Sequence, residues 1–301
     1  MKIFVIGASG YIGGSLSEHL RDNGHDIVAL ARSEGTAAGL RARGFEVLMG
    51  DLDDAPMLAR GATMADATIN AGDADHMASV QTLIATLAGT GKSLVHTSGS
   101  SIVCDDAEGE YASNAVFDDD AAYTPMAHRQ HRIAVDRIVR IAGVTQGIRT
   151  AVICPTMVYG DGKGLKRDSD QVPKITVKSR ERDAGVYIGK GLNIWSNVFI
   201  DDLSALYDLV VRDAPSASFF FAENGESALK DVALAVSHSL GFKGRIESWD
   251  LASAEADMGL WPRAALGSNS RVRATNARQL LNWTPTGPSL AGAIGGAEWI
   301  E

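Results

Sequence analysis

The apolar positions of the first half fall into short continuous runs, with helically spaced stretches between them. The runs at residues 3–6, 26–31, 45–49, 67–70, 94–97 and 150–154 have strand length and no inside–outside alternation. That pattern predicts strands covered on both faces. In the first intervening stretch Leu16 and Leu20 share one face, and Gly24 stands where a helix would end in a left-handed residue. Asp54 followed by Pro56 predicts a capped helix start, and Met77, Val80, Leu83, Ile84 and Leu87 form one apolar stripe. Strands that alternate with helices imply right-handed crossovers, hence a parallel sheet with helices on both faces. The expected fold class is α/β, doubly wound.

Beyond residue 155 the rhythm loosens. Residues 160–170 read as a long loop, 198–200 and 219–222 as strands, and 201–210, 230–240 and 290–299 as helices. The chain divides on this reading into a sheet domain, residues 1–155, and a smaller lobe over 156–301 that returns some segments to the sheet. Lysine and arginine number 28 against 37 aspartates and glutamates, a net charge of −9. An acidic balance argues against nucleic acid or an anionic membrane as partner. No apolar run reaches the roughly 18 residues that a membrane-spanning helix needs. Cys104 and Cys154 match no zinc or disulfide spacing, and read as two buried thiols of a cytoplasmic protein. Seven acidic residues and no basic one lie from Asp105 to Asp120. This segment reads as a solvated loop, and no metal site is expected there.

The chemistry begins in the turn after the first strand, where Gly7, Gly10 and Gly13 are spaced by two residues. A glycine-rich turn that opens a helix lets a pyrophosphate approach bare backbone and meet the helix's free N–H groups. Ser9, Tyr11 and Ile12 complete that cradle, so the first half is expected to be a Rossmann domain holding a dinucleotide. The second strand ends in Arg32 and Ser33, with no carboxylate to take ribose hydroxyls. Arg32 suits a 2′-phosphate and Ser33 adds a hydrogen bond, so NADP is preferred over NAD. Asp51, followed by Leu52, ends the third strand, where a carboxylate can accept from the adenine amino group.

These residues, with Asn70-Ala71-Gly72, Pro155-Thr156-Met157-Val158-Tyr159-Gly160, Val198-Phe199-Ile200-Asp201-Asp202-Leu203 and Leu280-Leu281-Asn282-Trp283-Thr284-Pro285, carry a resemblance across nearly the whole chain. The sequence resembles an extended or atypical short-chain dehydrogenase/reductase of the NAD-dependent epimerase/dehydratase type. The resemblance implies that Ala71 and Gly72 border the cofactor, that Pro155 and Val158 lie along the nicotinamide, and that the C-terminal lobe holds a small-molecule substrate. In such relatives a Tyr four residues before a Lys moves the proton, with a Ser beside them. Here His128 falls on the Tyr position and Arg132 on the Lys position, so the chain is read as lacking the Tyr-x-x-x-Lys pair. Asp136 falls where many relatives have Glu.

His128, with a reference pKa of about 6.5, suits a general acid, and Arg132 can position the nicotinamide ribose. Ser98 or Ser100 is the expected donor to a carbonyl oxygen, since one residue of slip separates them. Trp195, Phe199 and Tyr159 are expected to wall the substrate pocket. The 77–87 stripe, with Ile138, Val139 and Ile141, fits either a homodimer contact or burial on the chain's own sheet. The expected activity is NADP-dependent reduction of a carbonyl or imine. An epimerase or dehydratase, or a non-catalytic NADP sensor, are the alternatives that the altered catalytic positions leave open.

Overall fold

The computed structural model describes residues 1–296, so the expected helix end at Trp299 lies outside the described residues. The first half contains strands β1 (Lys2–Ile6), β2 (Asp26–Ala31), β3 (Glu46–Met49), β4 (Ala67–Asn70), β5 (Ser93–Thr97) and β6 (Arg149–Pro155). Helices α1 (Tyr11–Asp22), α2 (Glu34–Ala42), α3 (Ala55–Met64), α4 (Met77–Leu87) and α5 (Gln130–Thr145) alternate with them. The second half adds β7 (Met157–Tyr159), α6 (Gln171–Arg182), β8 (Gly185–Ile188), β9 (Ile194–Phe199), α7 (Ile200–Asp213) and β10 (Ser218–Ala222). Then come β11 (Glu226–Ala228), α8 (Leu229–Ser239), β12 (Ile246–Trp249), α9 (Leu251–Met258), α10 (Trp261–Ala265), α11 (Thr275–Leu281) and α12 (Leu290–Gly295).

Seven strands form one parallel sheet in the order β10-β6-β5-β4-β1-β2-β3. The order reverses on either side of β1, which opens a crevice at the carboxyl ends of β1 and β4. Ile3, Phe4, Val5 and Ile6 are at most 1% exposed, as strands covered on both faces must be. α1 ends at Gly24 with φ +83°, and Asp54 caps α3 by accepting from Met57 N at 3.1 Å. At Gly61 a side chain would stand 2.4 Å from the Phe4 ring, so glycine permits the close approach of α3 to β1.

The first core also takes in α7 and β10, from the second half of the chain. A second core lies among β8, α6, α8 and the short helices around Trp249 and Trp261. The two-stranded sheet β12-β8 lies within it, and the sheet β11-β9-β7 links it to the first, with Trp195 in the second core and Val198 in the first. Among the described residues no helix is long and apolar enough to cross a membrane. Both cysteines are free and buried.

Three expectations need correction. The strand expected at 198–200 is β9, which starts four residues earlier and ends before Ile200. Ser196 and Asn197 hid it, because polar residues inside a strand look like loop. Here Ser196 Oγ accepts from Val272 N, and Asn197 Nδ2 donates to Ser227 Oγ. Secondly, His128 does not sit on α5 but in a 3₁₀ turn, Ala127–Arg129, that precedes it. Thirdly, the acidic segment is not a free solvated loop. Asp119 accepts from Phe221 N and from Asn276 N at 2.7 Å, and Asp105 accepts from Asn269 N at 2.8 Å. Arg263 pairs with Asp106 and Glu108. The stripe Val80, Leu83, Ile84 and Leu87 is buried on the chain's own sheet with Val139, whereas Ile141 is half exposed.

Candidate active site

One cleft of about 630 Å³ opens at the carboxyl ends of the parallel strands. Tyr11 and Ile12 stand at one end of it, Ser98, Ser100, His128, Arg132, Pro155 and Val158 along it, and Trp195 in its far wall. Residues spread over almost the whole sequence therefore converge, because every loop after a parallel strand emerges on the same edge of the sheet.

At the glycine turn, Gly7 has φ +87°, and a Cβ there would stand 2.3 Å from the Ala71 carbonyl oxygen. A Cβ on Gly13 would lie 2.1 Å from the Gly7 carbonyl oxygen. These two glycines are thus required by the protein's own packing. Gly10 differs: only the Gly7 oxygen approaches it, at 3.2 Å, and its other side is open. Gly10 is also the N-cap of α1, which has no side-chain cap and no acidic residue in its first turn. The first N–H groups of α1, with Ser9 beside them, are left to meet an anion. This cradle fits a dinucleotide's pyrophosphate. Tyr11 contributes backbone only, since its hydroxyl donates to the Gly160 carbonyl at 2.8 Å.

The adenosine side is partly as expected. Arg32 is exposed after β2 and forms no ion pair among the described residues. Ser33 is already engaged: its Oγ accepts from Thr36 N at 3.3 Å and caps α2. Asp51 folds back on its own turn, where Oδ1 accepts from Asp53 N at 2.9 Å and Asp54 N at 3.1 Å. Leu52 reaches within 3.4 Å of where a Gly72 Cβ would stand, so the loops that follow β3 and β4 approach one another over the ends of β1 and β2.

Around the reacting centre, Arg132 forms a two-pronged pair with Asp75, Nε to Oδ1 at 3.0 Å and Nη2 to Oδ2 at 2.6 Å. That pair holds the Asp75 carboxyl below the usual carboxylate range. The remaining nitrogen, Nη1, faces Gly99. Ser98 Oγ donates to Asp136 Oδ2 at 2.6 Å, and both residues are buried. Burial pushes the Asp136 carboxyl up to about 7. Asp136 Oδ1 has no hydrogen-bond partner and lies 3.7 Å from His96 Nε2, which has none either. Burial pushes His96 down to about 4, so the ring is neutral. Ser100 Oγ lies 3.0 Å from Ser270 Oγ, which is the donor. His128 is exposed at the rim, and burial and the neighbouring Arg129 lower its pKa.

Two expected substrate residues are elsewhere. Tyr159 is fully buried with its hydroxyl donating to the Pro288 carbonyl at 2.6 Å, and its ring packs 5.7 Å from Phe199. Neither lines the cleft. Val158 and Trp195 do line the cleft. The β7–β9 register places Trp195 on the strand face of Tyr159 and Phe199 and Val158 on the other, so it is position along the strands and not alternation that separates them. The Tyr-x-x-x-Lys spacing does occur once, at Tyr159 and Lys163, but Lys163 Nζ pairs with Asp201 at 3.4 Å and Tyr159 is in the core. Tyr123 packs edge-on against Phe117 and lines a different groove. Asp75, Asp136 and Arg129 are the polar groups that sequence reasoning left unused. Only Asp136 carried a signal, its place four residues after Arg132. Among the described residues no cluster could hold a metal ion.

A family profile described as "NAD dependent epimerase/dehydratase family" matches residues 3–218. The chain is 31% identical to "Oxidase ucsJ" of Acremonium, over 96% of this chain and 94% of that one. It is 27% identical to "2-alkyl-3-oxoalkanoate reductase" of Stenotrophomonas maltophilia, over 75% of this chain and 71% of that one. Among solved structures, dTDP-glucose 4,6-dehydratase of Bacillus anthracis in complex with NAD superposes with a TM-score of 0.80 at 15% identity. That match covers 99% of this chain and 96% of the other, and at this identity it bears on the fold alone.

Proposed function

This chain belongs to the NAD dependent epimerase/dehydratase family and is an enzyme of the extended short-chain dehydrogenase/reductase type, and we propose that it reduces a carbonyl or imine of a small organic molecule with NADPH. The observation that carries this reading is the convergence of the uncapped α1 turn with Ser98, His128 and Arg132 on one cleft. The redox activities named for two relatives, an oxidase and a reductase, support it over sugar epimerisation. The preference for NADP rests on Arg32, which is exposed beside the cradle with no carboxylate to neutralise it.

Bound in the cleft, the reduced nicotinamide supplies a hydride to the substrate carbon. The residues of the chain supply position and the proton. Arg132 keeps a fixed charge; with Asp75 gripping two of its nitrogens, the third is aimed along the cleft to hold ribose hydroxyls. Ser98 Oγ donates to Asp136 Oδ2 at 2.6 Å, and Asp136 accepts from it when ionised; only a protonated Asp136 can donate in its place and release the serine's hydrogen for the carbonyl oxygen. His128 at the rim is the second proton source.

Titration of NADPH against NADH, followed by incubation with ketones, quinones and imines, tests this. NADPH binds at least ten-fold tighter, and Arg32→Ala abolishes the difference. His128→Ala and Arg132→Ala lower kcat at least ten-fold on whichever substrate consumes NADPH. Equal affinities for the two coenzymes overturn the NADP assignment. Tight binding without turnover of any compound overturns the enzymatic reading in favour of a sensor.

A further inference from the structure

The substrate end of the cleft has a charge balance that leaves one group over. Three carboxylates line it, and each is engaged within the protein. Asp105 accepts from Asn269 N and Nδ2, Asp106 from Arg263, and Asp170 from Trp261 Nε1 and Lys174. Three arginines line it as well. Arg132 is gripped by Asp75, and Arg263 by Asp106, Glu108 and Glu255. Arg129 is different. It forms no ion pair among the described residues, and its Nε is buried without a hydrogen-bond partner. Its one recorded side-chain hydrogen-bond partner is the Cys104 thiol, a weak acceptor that burial keeps protonated, and the nearby Asp75 that feels its charge is already paired with Arg132. A guanidinium nitrogen buried without an acceptor is costly, and because Arg129 also lines the cleft, an anion bound there would meet its unpaired charge.

The walls around it are carbon. Met126, Trp195, Leu260, Trp261, Ala264 and Ala265 face the cleft, and both indole N–H groups are turned away to protein acceptors, Trp195 to Ser268 O at 2.7 Å and Trp261 to Asp170 at 2.8 Å. What remains for a ligand is mostly ring and methyl surface beside one unpaired cation, with the unpartnered Ser169 hydroxyl and Ser101 among it. A diphosphate-linked sugar would bring two phosphates and several hydroxyls into this surface, with a single free cation to meet them.

We propose that the substrate is an apolar oxo acid, its carboxylate paired with Arg129 and its carbon body enclosed by Trp195 and Trp261. This rests on the carbonyl reduction proposed above and names its substrate class. The reduction adds a hydride to the oxo carbon and a proton to its oxygen, giving the hydroxy acid and the oxidised coenzyme. Arg129 is a binding residue on this assignment and takes no part in proton transfer.

The test uses 2-, 3- and 4-oxodecanoate with their methyl esters, first by equilibrium binding to the protein saturated with NADP⁺, then by NADPH consumption. At least one acid binds ten-fold or more tighter than its ester, and Arg129→Gln removes that difference while the ester's affinity and NADP⁺ affinity stay as they were. Trp261→Ala weakens the ten-carbon acid but not acetoacetate or pyruvate. Acids and esters of equal affinity overturn the proposal, as does a loss in Arg129→Gln that falls equally on both. Acid-selective binding without NADPH consumption leaves Arg129's assignment standing and removes the reductase reading instead.

Discussion

Ser98 and Asp136 show what one hydrogen bond adds to a motif. The sequence around Ser98 and Ser100 admits two registers for the active hydroxyl. In the structure Ser98 is joined to a buried carboxyl while Ser100 meets another serine. Asp136 is faced by His96 on β5, Arg132 and Arg140 on its own helix, Cys154 on β6, Asp75 beyond β4, and Tyr123. Burial raises its pKa from 3.8 to about 7, so between those values the folded state binds a proton that the unfolded state does not. Its contribution is therefore greatest below pH 4, is lost progressively between pH 4 and 7, and is unfavourable and constant above 7. His96, lowered to about 4, has the opposite slope over pH 4 to 6.5. Urea denaturation of the parent and of Asp136→Asn, compared at each pH, isolates the carboxyl. The variant gains on the parent by a few kcal/mol between pH 4 and 7 and by nothing further above it. A pH-independent difference contradicts this. Arg129 had no such signature, since an arginine's lack of a partner is invisible until the fold brings its neighbours in.

Elements were legible where a single period governed them. The buried parallel strands and the α4 stripe follow from apolar runs and helical spacing alone. β7 and β9 did not, because β7 has only three residues and β9 carries Ser196 and Asn197, whose partners lie far along the chain. Trp195 and Phe199 share one face of β9, so only the packing at each end of the strand decides that Trp195 reaches the cleft while Phe199 packs on Tyr159. The glycines of the first turn separate by cause in the same way. Gly13→Ala forces a methyl group to 2.1 Å from the Gly7 carbonyl. It is expected to lower the urea midpoint and to weaken NADPH binding at least ten-fold. Gly24→Ala meets nothing within 4 Å and is strained only by φ +83°. It costs roughly 1–2 kcal/mol and leaves coenzyme affinity unchanged. If Gly13→Ala binds NADPH like the parent, the cradle is misplaced.

At the scale of the molecule, the acidic segment after β5 bonds to both cores: Phe117 and Asp119 hold residues of the first, and Asp106 and Glu108 hold Arg263 beside the second. Phe117 pairs with Val272, Asp119 holds the backbone of Phe221 and Asn276, and Arg263 gathers Asp106, Glu108 and Glu255. Arg263→Ala is expected to raise the substrate KM several-fold while NADPH affinity holds. The melting temperature should move little, because exposed ion pairs contribute only about 0–1 kcal/mol each. A large drop in NADPH affinity would place the segment's effect at the wrong end of the cleft. From the sequence alone came the doubly wound sheet, the glycine turn proposed to receive a dinucleotide, and the departures at His128 and Arg132, because short-range periodicity and backbone requirements are written locally. Tertiary structure alone decided which hydroxyl meets Asp136, which aromatic rings reach the cleft, and that Arg129 has no carboxylate. Those are properties of groups brought together from distant positions, and burial sets their cost only once the neighbours are in place.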